Sequence, residues 1–234
     1  MSQAKENAAS AALEFVEDGM TLGLGSGSTA EIFIEMLGER VAGGLKVKGV
    51  PTSQATAKCA RENGVPLIEA DRVSRLHLTI DGADEVDPAF NLIKGGGACL
   101  LREKIIAHAS DKMVVIIDNS KMVDDLGAFA LPVEVDPFGM AITAEQIYAA
   151  LKASGCKNAQ TTLRQSKDGS GPLITDGGHY ILDCKCEIIT SPHDTARMLS
   201  AIPGVMEHGL FIDIADAIIV GENDHAKVME LARE

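Results

Sequence analysis

Three short stretches of this chain combine residue types that can hold an anion and move a proton. The first is Gly23-Leu24-Gly25-Ser26-Gly27-Ser28-Thr29. Glycine lets a backbone turn tightly and approach a ligand closely. Ser26, Ser28 and Thr29 carry hydroxyls. A helix pattern starts at Ala30, so its free N–H groups and positive dipole end point at the turn. Such a turn suits a phosphate group, and equally suits a plain strand-to-helix connection with a Ser/Thr cap. It is not a P-loop, because no Gly-Lys-[Ser/Thr] follows. No acidic residue closes the next strand at Val50-Pro51, as a dinucleotide fingerprint would require. The second stretch is Asp81-Gly82-Ala83-Asp84-Glu85-Val86-Asp87-Pro88. Clustered carboxylates cost energy unless cations or donors compensate. Gly82 and Ala83 are small enough to admit a ligand; the alternative is a solvated acidic turn. The third is Lys94-Gly95-Gly96-Gly97, ahead of a helix pattern carrying Arg102, Glu103 and Lys104. Consecutive glycines present N–H donors with no side chain in the way, and Lys94 adds a positive charge. Glu103, expected on the second turn of that helix, would project back over the loop; taken alone it reads as a surface acid. Lys121, in Asp118-Asn119-Ser120-Lys121, follows an apolar run at 113–117 and would reach the same crevice; as an isolated lysine it would be solvated.

Those stretches need a scaffold. The first half of the chain alternates patterns: helix over 4–17, strand over 20–25, helix over 30–41, strand over 45–50, and helix over 52–63 with a Ser/Thr cap. Strands over 67–69 and 76–80, a helix over 98–109 and a strand over 113–117 follow. Continuous apolar strands separated by helices imply a mostly parallel sheet with helices on both faces. Ligands bind such sheets at the carboxyl ends of the strands, where the acidic stretch at 81–88 directly follows the strand over 76–80. The pattern changes near Leu131: strand over 132–136, helix over 142–154, and strands over 159–165 and 179–186, with the turn signal Asp176-Gly177-Gly178 just before the second. A helix over 192–202 opens on a proline, and a strand covers 205–207. This β-α-β-β-α-β succession is the ferredoxin-like order. Residues 210–220 and 222–233 read as a strand and a helix returning to the first domain. The expected division is 1–130 with 207–234 as the large domain, and 131–206 as a smaller α+β domain.

With 234 residues, 46% of them hydrophobic, the chain is long and apolar enough to fold around a core. Its net charge of −13 opposes nucleic acid and anionic membranes, so neither is expected as a partner. An anionic substrate would have to be held by locally built groups. The N-terminus is polar, with no secretory apolar region, and no apolar run reaches the roughly 18 residues of a membrane span. The five cysteines are odd in number and scattered, which reads as free thiols in the cytoplasm. Cys184 and Cys186 read as packing residues. The histidines at 77, 108, 179, 193, 208 and 225 show no metal-binding spacing and read as structural or exposed. No metal or other cofactor is expected.

Taken together, the motifs resemble the ribose-5-phosphate isomerase A family. They are GLGSGSTA at 23–30, TSQAT at 52–56, DGADEVDP at 81–88, KGGGACLLREK at 94–104 and DNSK at 118–121. LPVEVDPFG at 131–139 and IPGVMEHGLF at 202–211 extend the resemblance through the second half. It implies a Rossmann-like large domain, a small ferredoxin-like domain, and a homodimer or homotetramer. It implies metal-independent interconversion of D-ribose 5-phosphate and D-ribulose 5-phosphate in the non-oxidative pentose phosphate pathway, with Glu103 as base. By the same match Ser26, Gly27, Ser28, Thr29, Asp81, Gly82, Ala83, Asp84, Lys94, Gly95, Gly96, Gly97 and Lys121 would line the substrate site, with Lys5 a further candidate. Ser26 stands where the family commonly has Thr, and Cys99 where a small residue such as Ala is usual.

An aldose–ketose exchange moves a proton from carbon 2 to carbon 1 through an enediolate, which requires one positioned base. Lys94 and the loop amides would stabilise the developing oxyanions. Asp81 would move protons as the furanose ring opens, and Asp84 would hold Lys94 or sugar hydroxyls. Three other readings compete: an amino-sugar phosphate deaminase-isomerase on a similar sheet, a non-catalytic sugar-phosphate sensor, and a dinucleotide-dependent dehydrogenase. The sensor would normally carry a basic helix-turn-helix, which this chain lacks, and the dehydrogenase would need the missing ribose-binding acid.

Overall fold

The computed structural model of the chain describes residues 2–156 and 158–231. Its elements run α1 (Gln3–Ala12), β1 (Thr21–Leu24), α2 (Ser28–Ala42), β2 (Lys48–Pro51), α3 (Gln54–Glu62), β3 (Leu78–Asp81), β4 (Glu85–Val86), β5 (Leu92–Ile93) and α4 (Leu100–His108). They continue with β6 (Met113–Asp118), β7 (Leu131–Val135), α5 (Met140–Ala153), β8 (Gln160–Leu163), β9 (Tyr180–Lys185) and α6 (Pro192–Ser200). The chain closes with β10 (Val205–His208), β11 (Leu210–Phe211), β12 (Ala217–Gly221) and β13 (Ala226–Glu230). Two compact units divide it: 1–83, 102–122 and 214–234 form the first, and 84–101 with 123–213 the second. The chain thus crosses between units at four places where sequence pattern alone suggested two.

The first unit is built on a six-stranded sheet in the order β13-β12-β6-β3-β1-β2. Every pairing is parallel except β12 with β13. Side chains alternate across a strand, and both faces are covered. Leu22, Leu24 and Ile80 pack with Phe33, Ile34 and Leu37 of α2 and with the alanines of α1. On the other face Ile106 of α4 packs with Val50 and Leu76. Gly23 lies under Ile106, and a methyl group there would overlap the Thr79 hydroxyl and sit 2.6 Å from the Ile106 side chain. The missing side chain brings α4 close to the sheet.

The carboxyl end of the chain departs from expectation. Residues 226–230 form a strand, β13, and not part of a helix over 222–233. Lys, Met and Glu favour helix, but Glu222-Asn223-Asp224-His225 makes a turn in which the Glu222 amide donates to the His225 carbonyl at 2.8 Å. The hairpin then pairs β13 along the whole length of β12. Cross-strand pairing overrides local propensity here.

The second unit carries a four-stranded sheet in the order β10-β7-β9-β8, antiparallel throughout. With α5 after β7 and α6 after β9, this is the expected ferredoxin-like order. Val133, Val135, Leu182 and Leu210 pack with Ile147, Leu151 and Leu199 of the helices. The short strands β4, β5 and β11 add a three-stranded sheet in the order β11-β5-β4.

Candidate active site

In the first unit the carboxyl ends of β1, β3 and β6 each deliver a candidate group. The turn after β1 is fixed by buried bonds. Asp81, fully buried at the end of β3, accepts from the Ser26 amide at 3.1 Å and the Gly82 amide at 2.7 Å. A side chain at Gly25 would overlap the Asp81 carboxylate, so only glycine fits. The Ser26 hydroxyl lies 2.9 Å from the hydroxyls of Thr52, Ser53 and Thr56. Thr56 in turn donates to the Gly25 carbonyl at 3.0 Å, and Thr52 to the Leu24 carbonyl at 2.9 Å. The TSQAT segment therefore braces the glycine turn from beneath. Ser53 also caps α3, accepting from the Thr56 amide at 3.0 Å.

Gly27 has φ +100 and caps α2, leaving Ser28 exposed at the positive end of a helix of 15 residues. Lys5 Nζ donates to the Ser28 hydroxyl at 2.8 Å. Helix α1 is held against β12 so closely that a side chain at Gly221 would overlap the Ala4 carbonyl, and Asn7 donates to the Glu222 carbonyl at 2.8 Å. That docking brings a lysine far back in the chain to the glycine turn. Beyond β6, Asp118 accepts from the Ser120 amide at 3.0 Å and from its hydroxyl. Burial raises the Asp118 pKa, but the Ser120 hydrogen bonds, together with the charges of Lys121 and Lys5, outweigh it and hold the carboxyl below its usual value. Lys121 ends the short turn Asn119–Lys121. This unit therefore places Lys5 on the Ser28 hydroxyl and both Lys5 and Lys121 close enough to Asp118 to lower its pKa.

Glu103 belongs to this unit as well. Helix α4 starts at Leu100, two residues later than the sequence pattern suggests, so Glu103 stands in its first turn and not its second. It is buried, 4% exposed, and Lys104 beside it is buried as well, 7% exposed. Glutamates are almost never fully buried unless paired.

In the second unit Asp84 and the Lys94-Gly95-Gly96-Gly97 loop come together. The Gly96 amide donates to Asp84 Oδ2 at 2.8 Å, and the Asp84 amide donates to the Ile93 carbonyl at 2.8 Å. A side chain at Gly96 would press on the Asp84 carboxylate, and one at Gly95, with φ +108, would meet Leu100 and Pro132. Lys94 is buried, 3% exposed, with Nζ 5.5 Å from the centre of the Phe211 ring. Its amide donates to the Gly209 carbonyl at 2.8 Å. Gly97 faces open space. Cys99 is half-buried and donates to the Gly97 carbonyl at 3.2 Å.

Three features lay outside the sequence reading. The roles of Thr52, Ser53 and Thr56 were legible only as a motif, without their contact to Ser26. Arg164, which donates to the glycine loop of the second unit, and Asp183, which holds Arg164, gave no signal because they lie far from the loop in the chain. Among the described residues, Glu222, Asp224 and His225 put one ligand atom each within 4.8 Å of the others, a grouping that histidine spacing does not reveal. They are largely exposed in the β12–β13 turn, where a hydrogen bond to Asp224 raises the His225 pKa. No other observation there points to an ion.

A sequence model of the family described as ribose 5-phosphate isomerase A (phosphoriboisomerase A) matches residues 48–225. A ribose-5-phosphate isomerase A of Maricaulis maris is 63% identical over 227 residues, covering 97% of each chain. Among solved structures, a D-ribose-5-phosphate isomerase in complex with phospho-erythronic acid superposes with a TM-score of 0.90 at 41% identity, covering 98% of each chain. The ribose 5-phosphate isomerase A of Methanocaldococcus jannaschii superposes with a TM-score of 0.89 at 35% identity, over 97% of this chain and 98% of that one. On these matches, the chain belongs to the ribose 5-phosphate isomerase A family.

Proposed function

We propose that Glu103 is the base of the aldose–ketose isomerisation of ribose 5-phosphate, taking the proton from carbon 2 and returning it to carbon 1. The observation that carries this reading is a carboxylate buried to 4% exposure in the first turn of α4, six residues beyond a run of three glycines. Excluding bulk water around the base strengthens its electrostatic interactions with the substrate. In the enediolate, negative charge sits on the oxygens of carbons 1 and 2. Lys94 and the amide of Gly97 are assigned to that charge, each such donor typically being worth about 3–4 kcal/mol. Asp81 and Asp84 are assigned to the sugar hydroxyls and ring opening. The phosphate is assigned to Ser28, Thr29 and the α2 amides, with Lys5 and Lys121 as cations. Ser26, Gly27, Gly82, Ala83 and Gly95 shape the walls.

The phospho-erythronic acid held by the 41% identical structure supports this reading. It is a four-carbon sugar acid phosphate, and its flat carboxylate carries two oxygens side by side, as an enediolate does. Replacing Glu103 by Gln keeps the shape and removes the base. Turnover of ribose 5-phosphate is expected to fall about 10²- to 10⁴-fold with KM little changed, measured by coupled assay. Near-wild-type turnover would remove Glu103 from the role.

The reading extends to a homodimer or homotetramer in the cytoplasm. Phe138 and Ile142, four residues apart, are 91% and 68% exposed and offer apolar side chains to a contact between copies. All five cysteines are free thiols, the state a reducing compartment maintains.

A further inference from the structure

We infer that Arg164, held by Asp183, is a positioning residue that turns the peptide units of the 94–97 loop, setting the Gly96 amide on Asp84 and aiming the Gly97 amide at the substrate. The inference rests on the assignment of that loop to the reacting oxygens. Arg164 directly follows β8, an edge strand of the four-stranded sheet, and lies almost seventy residues from the loop in sequence. Its Nη1 donates to the Gly95 carbonyl at 2.8 Å and to the Gly96 carbonyl at 3.1 Å. The rest of the guanidinium is occupied by Asp183: Nε donates to Oδ2 at 2.9 Å, and Nη2 to Oδ1. The Arg164 side chain is 14% exposed and that of Asp183 28%.

The consequence follows from peptide geometry. In a trans peptide unit the C=O and N–H point in opposite directions, and no described peptide bond is cis. The Gly95 carbonyl shares its unit with the Gly96 amide, and the Gly96 carbonyl shares its unit with the Gly97 amide. Drawing both carbonyls onto one guanidinium therefore turns both amides the other way. The Gly96 amide confirms the direction, because it meets Asp84 Oδ2 at 2.8 Å. The Gly97 amide is turned in the same sense, beside a residue with open space where a side chain would stand. The Gly95–Gly96 unit is also held by the Ala98 amide, which donates to the Gly95 carbonyl at 3.0 Å, and by Asp84. The Gly96–Gly97 unit, between two glycines of little conformational preference, is the one that would sample other orientations without the clamp. The task needs arginine and not merely a cation. Only a planar fork can hold a carboxylate on one edge and reach peptide oxygens from the other.

The test compares Arg164→Lys, Arg164→Ala and Asp183→Asn with the wild type, and runs Lys94→Met in parallel. Circular dichroism checks that each is folded, and the readouts are kcat and KM for ribose 5-phosphate. Misplaced donors are expected to lower kcat about 10- to 100-fold while KM stays within about threefold. Arg164→Lys should be nearly as impaired as Arg164→Ala, since charge alone cannot hold the loop. Added guanidinium should restore part of the kcat of folded Arg164→Ala. Asp183→Asn, which keeps the arginine but loosens its anchor, should show the same kcat-weighted loss in milder form. The inference is overturned if folded variants keep kcat within about threefold of wild type. It is also overturned if Arg164→Lys restores full turnover, or if the losses follow unfolding in all three variants without guanidinium rescue. If Lys94→Met also leaves kcat unchanged, the assignment of the loop itself has failed. An effect of Lys94→Met with none from the Arg164 variants isolates the failure to the clamp.

Discussion

At Thr56 one hydroxyl connects two parts of the glycine turn: it lies 2.9 Å from the Ser26 hydroxyl and donates to the Gly25 carbonyl at 3.0 Å. Thr56→Val keeps the shape and leaves a buried carbonyl with one partner fewer, at a cost of about 1–3 kcal/mol. Thermal unfolding should shift down by several degrees, and KM for ribose 5-phosphate should rise more than kcat falls, because the turn is assigned to the phosphate. An unchanged KM would separate the hydroxyl cluster from substrate binding. Much at this scale was legible in the sequence. Glycines, acids and the lysine of the loops stood out because catalytic chemistry uses few residue types. The cluster of Ser26 with Thr52, Ser53 and Thr56 was not, because hydroxyls are common and their convergence depends on β1 and β2 lying side by side.

Elements place these groups, and Gly23 decides how closely α4 approaches the sheet. Gly23→Ala would force a methyl group into Thr79 and Ile106, and overpacking of this kind costs about 1–3 kcal/mol. Because α4 carries Glu103, kcat should fall together with the unfolding midpoint in denaturant; a fully stable, fully active variant would contradict the packing argument. The turn after β6 has its own pH signature. The folded pKa of Asp118 lies below its ordinary value of 3.8. Its stabilising contribution is therefore complete above that value and is lost as pH falls through the lowered one. Asp118→Asn should show a shallower loss of stability than wild type below about pH 4, followed by denaturant titration at each pH. Element order was readable where apolar runs alternate with helix patterns. It failed at β13, where helix-favouring residues are held in a strand by the hairpin with β12. It also missed the true start of α4: Ala98 adopts φ +59, a backbone state that composition does not announce.

For the whole molecule, the net charge of −13 makes the local cations matter. Lys5, Lys94 and Lys121 are the cations proposed for the phosphosugar, on a chain whose average field repels an anion. No helix among the described residues is long and apolar enough to cross a membrane. The exposed Phe138 and Ile142 of the second unit belong to the proposed contact between copies. A Phe138→Ser, Ile142→Ser double variant should sediment at lower mass than wild type, and unchanged sedimentation would place the contact elsewhere. Domain boundaries were the least legible feature, because residues 84–101 lie in a stretch that reads as large domain yet pack in the second unit. The central claim, that Glu103 carries the proton, is tested most directly by solvent exchange. Ribose 5-phosphate is equilibrated in D2O with wild type or with Glu103→Gln, and deuterium at the reacting carbons is followed by NMR. The account predicts exchange by the wild type and none above background by the variant; exchange by the variant at the wild-type rate would contradict it.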